Sequence, residues 1–99
     1  MTDVENVDKF LEISRNQLES MKDKVKRCNM LGVIDSYFII STNLQNAAQI
    51  IPDLPPALRD EKMKEVHRIH DKKHEIVKTI NDFCRCEAKT PYRYVKAAE

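Results

Sequence analysis

Ninety-nine residues carrying a formal net charge of +1 allow one small domain and leave no room for a catalytic fold of several layers. Leu, Ile, Val and Phe supply 25 of the 99 residues, above the ~20% that marks strongly charged disordered chains, so the chain should fold. A single glycine and four prolines with 33% charged residues exclude an all-β fold, which needs Gly and Pro at its many turns.

The first helix opens on Thr2-Asp3-Val4-Glu5, a capping box in which the Thr2 hydroxyl takes the N–H of Glu5 and the Glu5 carboxylate returns to the N–H of Thr2. Val4, Val7, Leu11, Ser14, Leu18, Met21, Val25 and Cys28 then alternate spacings of three and four, a 3.5-residue repeat. The lone glycine, Gly32, stands where a left-handed residue would close this helix.

A second helix repeats the spacing at Val33, Tyr37, Ile40, Leu44, Ala47 and Ile51. It stops at Pro52-Asp53-Leu54-Pro55-Pro56, where three prolines remove backbone donors and force extended geometry. A third begins at Pro56 or Ala57 and carries Lys62, Val66, Ile69, Lys73, Ile76, Ile80 and Phe83 along its seam. The two lysines there imply either stems that pack while the ammonium reaches water, or a register displaced by one residue. Short links make consecutive helices antiparallel. The expected architecture is therefore an all-α, up-down-up antiparallel three-helix bundle with coiled-coil-like seams over residues 1–84, with helices at about 3–30, 34–51 and 57–84. Residues 85–99 have no periodicity and read as a flexible, at most partly docked, C-terminal tail.

Seventeen basic against sixteen acidic residues, divided as −1 over residues 1–50 and +2 over the remainder, give no summed field for nucleic acid or an anionic membrane. The cluster Lys22, Lys24, Lys26 and Arg27, with Asp23 inside it, reads as a solvated helix face. Three cysteines, no signal-like segment and no Asn-x-Ser/Thr sequon point to a cytoplasmic or nuclear chain. The longest purely apolar run, Tyr37–Ile40, is far too short to span a bilayer.

No Lys or Arg occurs between Arg27 and Arg59, and the only acids in that interval are Asp35 and Asp53. A helix of a free bundle should show water a charged stripe. Opposite its seam the middle helix instead carries Phe38, Ile39, Thr42, Gln45, Asn46 and Gln49, with Ile34 and Ile50 at the margins. Depletion of charge with retained aromatic and aliphatic residues marks an interface core. Phe38 and Ile39 are its expected anchors, for a partner protein or for a homodimer; the plainer alternative is that Phe38, Ile39 and Ile50 widen the internal core.

His67, His70 and His74 share one stripe of the third helix at spacings at which imidazoles can share a metal. Cys84-x-Cys86 lies about ten residues, ~15 Å, beyond His74, too far to join them. The reading taken is boundary histidines and small buried thiols, with no metal and no cofactor, although histidines can titrate near neutral pH. No nucleophile elbow, Gly-rich phosphate loop or carboxylate pair is present, so no enzyme and no small-molecule substrate are expected. Thr90-Pro91-Tyr92-Arg93-Tyr94-Val95 in the tail could serve as a phosphosite or short docking strand.

Helix lengths of about 25, 18 and 27 residues and the run Arg59-x-x-Lys62-x-x-x-Val66-x-x-Ile69-His70, with Tyr37 and Leu44 before it, resemble the last two helices of BAG domains. Those three-helix modules bind the nucleotide-binding domain of Hsp70 chaperones. The resemblance implies a co-chaperone acting through helices two and three, with Arg59, Lys62 and His70 at the contact. Ala48 stands where that family carries an acidic residue, and His70 where it carries glutamine. The first expectation remains a non-enzymatic interaction module, an adaptor or small subunit of an intracellular complex. A metal-responsive helical protein built on the histidines ranks below both.

Overall fold

A computed structural model describes residues 2–79. Three helices follow in order: α1, Asp3–Lys26; α2, Met30–Ile50; and α3, Pro56–Lys78. A 3-10 turn at Ile51–Asp53 joins the last two. The fold is the all-α three-helix bundle that the heptad spacing implies. Pairing runs from Asp8 with Lys62 to Arg15 with Glu65, so α1 and α3 are parallel. Ser41 meets Lys73 and Tyr37 meets His74 with α2 antiparallel to α3. No helix among the described residues is long and apolar enough to cross a membrane.

α1 starts as its sequence dictates, with the Thr2 hydroxyl accepting the Glu5 N–H at 3.2 Å. The second half of the capping box differs, because the Glu5 carboxylate accepts from the Thr2 hydroxyl, also at 3.2 Å, instead of returning to the backbone. Val7, Leu11, Ser14, Leu18 and Met21 form the buried seam. Ser14 fits among them because its hydroxyl donates to the Phe10 carbonyl at 2.8 Å, so its own polar group is paired in the core.

The boundary between the first two helices corrects the expectation. α1 ends at Lys26 and α2 begins at Met30, each four residues earlier than the spacing predicts. The left-handed position is Cys28, with φ at 57°, and Gly32 lies inside the first turn of α2. Asn29 is the N-cap, its side-chain oxygen accepting the Gly32 N–H at 3.0 Å. Gly32 is small because a Cβ there would come within 2.5 Å of Asn29 Nδ2 and 2.9 Å of Lys24 Cδ. Cys28 is exposed and its sulfur is disulfide-bonded, so its reading as a small buried thiol is also corrected.

Val33, Ile40, Leu44 and Ala47 of α2, with Ile51 and Leu54 of the connection, close over the α1 seam, and Val66, Ile69 and Ile76 of α3 complete the core. Burial of each larger side chain contributes ~1.5–3 kcal/mol. Pro55 caps α3 and Pro56 takes its first position, where a missing N–H costs nothing. The far end of the expected third helix, with Ile80, Phe83, Cys84 and Cys86, and the 85–99 tail lie outside the described residues.

The two seam lysines behave differently from each other. Lys62 Nζ reaches Asp8 at 2.7 Å across the α1–α3 boundary. Lys73 is only 4% exposed and does not lead its ammonium to water. Its Nζ donates to Ser41 Oγ at 2.9 Å and lies 4.3 Å from the centre of the Tyr37 ring. The register is therefore sound, and α3 buries a cation at one of its seam positions.

Candidate functional site on the middle helix

At 100° per residue, Leu31, Ile34, Phe38, Thr42, Gln45 and Gln49 fall within one narrow stripe of α2. Leu31 is 81% exposed, Phe38 62% and Ile34 47%, and these are the exposed large hydrophobic residues among those described. Thr42, Gln45 and Gln49 are exposed beyond them. The stripe thus divides into an apolar half near the start of α2 and a hydrogen-bonding half toward its end. Asp35 is the only ionised side chain of the whole helix.

The flanking residues are less open. Ile39 and Asn46 are half-buried, so of the two expected anchors Phe38 stands in solvent and Ile39 packs partly inward. Ile50, at the other margin, rests against the core. Leu31 lies in the stripe but outside the helix that the sequence spacing implied. Its signal was the Asn29-x-x-Gly32 cap, which starts the helix before Leu31 and brings that side chain onto the face.

Two serines of α2 hold the neighbouring helices, Ser36 buried opposite the stripe and Ser41 half-buried at its edge. Ser36 accepts from Lys24 Nζ of α1 at 2.8 Å, and Ser41 accepts from Lys73 Nζ of α3 at 2.9 Å. Burial lowers the Lys73 pKa from its ordinary value. A hydroxyl beside such a lysine is the pairing that nucleophilic catalysis can use. Both serines nevertheless lie within α2, where the neighbouring N–H groups are engaged in the helical ladder, so no paired donors flank either hydroxyl to hold an oxyanion. The geometry supports fastening of helices by charge-assisted hydrogen bonds.

On α3 the structure brings His70 and His74 together, with their Nε2 atoms 3.1 Å apart and ring centres 4.4 Å apart. His67, one turn earlier, lines a shallow groove of about 310 Å³ between α2 and α3, floored by Leu44, Ala48 and Val66. No three His, Cys, Asp or Glu side chains converge among the described residues. Of the residues carried by the BAG-domain resemblance, Arg59 and His70 are exposed, whereas Lys62 is half-buried against Asp8.

An aromatic row links the two features. Phe38 meets Tyr37 edge-on at 6.0 Å, and Tyr37 meets His74 edge-on at 6.5 Å. The exposed end of the α2 stripe is thereby continuous with the histidine pair. The chain matches no protein-family model, no curated protein and no solved structure, so the resemblance to BAG domains rests on the quoted residues alone.

Proposed function

We infer that this chain is a non-enzymatic protein–protein interaction module, an adaptor or small subunit of a larger assembly, binding through the uncharged face of α2. The supporting observation is the exposure of Leu31, Ile34 and Phe38 in one stripe of a helix with a single charge. Large apolar side chains grouped in this way tend to mark a surface that meets another protein. The fitting partner presents apolar surface to Leu31, Ile34 and Phe38, and amide or hydroxyl groups to Thr42, Gln45 and Gln49.

The test is crosslinking in living cells of the wild-type chain, Phe38→Asp and, as a control on the exposed side of α3, Lys64→Asp. The expected result is one defined crosslinked species that Phe38→Asp removes and Lys64→Asp retains, with all three proteins equally helical. The mass of that species distinguishes a second copy from a different partner. A crosslinked species unchanged by Phe38→Asp, or helicity lost in that variant, overturns the reading.

A further inference from the structure

We propose that His70 and His74 form a bidentate site for a borderline first-row divalent cation, of which Zn²⁺ is the representative, with the remaining coordination positions open. One helical turn separates the two residues, and both are exposed, so the ligands are presented by a rigid element without opening the core. Their Nε2 atoms are 3.1 Å apart. With Zn–N bonds of ~2.0–2.1 Å, that separation corresponds to an N–Zn–N angle of about 95–102°, between the octahedral and tetrahedral ideals. Imidazole nitrogen suits zinc, nickel and copper, and does not suit magnesium or calcium.

The surroundings orient both rings. Asp71 Oδ1 lies 3.5 Å from His70 Nδ1, on the side away from the shared space, where a carboxylate can orient a ligating imidazole. Tyr37 packs edge-on against His74 and fixes its other flank.

Without metal, one Nε2–H donates to the lone pair of the other Nε2. On binding, that proton moves through water to Nδ1 of the same ring, and each Nε2 gives its lone pair to the cation. Two neutral imidazoles remain neutral, and no proton is released. With no third protein ligand converging among the described residues, water or a donor from another molecule fills the other positions.

The test uses the full chain with labelled histidine nitrogens, titrated with ZnCl₂ at neutral pH and followed by long-range proton–nitrogen correlation. Both Nε2 resonances of His70 and His74 should move together, with the protons on Nδ1, while His67 stays in place. His70→Ala and His74→Ala should each weaken Zn²⁺ binding by at least about tenfold, because the second donor otherwise binds as an intramolecular event. His67→Ala should leave it unchanged. His70→Gln and His74→Gln repeat the comparison should either alanine variant lose helicity. Resonances of all three histidines moving equally, no movement at all, or Zn²⁺ affinity that survives both single substitutions overturns the proposal.

Discussion

Replacing Lys73 separates what its hydrocarbon stem does from what its charge does. Lys73→Met keeps an unbranched apolar chain in the seam and removes the ammonium. That ammonium donates to Ser41 and sits over Tyr37, which contribute ~1.5–3 kcal/mol for a charged donor and ~0.5–2 kcal/mol for the ring contact. Taking an ammonium out of water costs several kcal/mol, so these contributions nearly cancel. Lys73→Met should therefore lie within about 1 kcal/mol of wild type. Lys73→Ala deletes three methylenes from a side chain that is 4% exposed, a loss of ~2.4 kcal/mol at ~0.8 kcal/mol each before any cavity term. The alanine variant should consequently unfold ~10–20 °C below the methionine variant. Urea and thermal unfolding followed by circular dichroism measure both differences. The pH dependence supplies a second check. Burial holds the folded-state pKa of Lys73 below the ordinary 10.5, so between the two values the unfolded chain binds the proton that the folded chain has released. Wild-type stability should therefore rise relative to Lys73→Met as pH climbs through that window, and the difference should level off above it. A methionine variant as unstable as the alanine variant refutes the argument, as does a wild type that weakens relative to it on that climb.

Two neighbouring substitutions on α2 should have opposite effects. Ile40 is fully buried and Ile40→Ala should cost ~2–5 kcal/mol, whereas Phe38→Asp should cost under about 1 kcal/mol and act on association alone, as paired unfolding and mass measurements would show. Asn29→Ala removes the side-chain acceptor at the start of α2 and should lower stability by ~1 kcal/mol in urea titration. Ser14 is fully buried in the α1 seam, so Ser14→Leu should overpack it and cost ~1–3 kcal/mol despite completing the apolar repeat. A more stable Ser14→Leu protein would show spare volume between the helices.

The bundle was legible because its seams repeat at the helical period: Val7, Leu11, Leu18 and Met21, then Ile40, Leu44 and Ala47, are buried where their spacing puts them. The α1–α2 junction was not, because a lone glycine resembles a helix terminator more than a small residue inside a first turn. The left-handed turn falls on Cys28 instead, and sequence spacing gives no sign of it. Leu31 was missed through that same error. Phe38 in solvent followed from the angular arithmetic, whereas the half-burial of Ile39 depends on how closely the helices approach, which sequence does not state. Three histidines at helical spacing look equivalent in sequence, and rotamers and neighbours select His70 and His74.

The polar anchoring of α2 comes largely from outside it. The cations that hold its serines belong to Lys24 and Lys73 on the helices either side, while its own 21 residues contribute one carboxylate. Cut out as a peptide, α2 would leave those partners behind and expose both an apolar seam and an apolar stripe with almost no charge to keep copies apart. It should clump in water at concentrations where peptides of α1 and α3 stay dispersed. Its solubility is a property lent by its neighbours. During synthesis α1 leaves the ribosome first, so a cover for one side of α2 exists before α2 itself emerges.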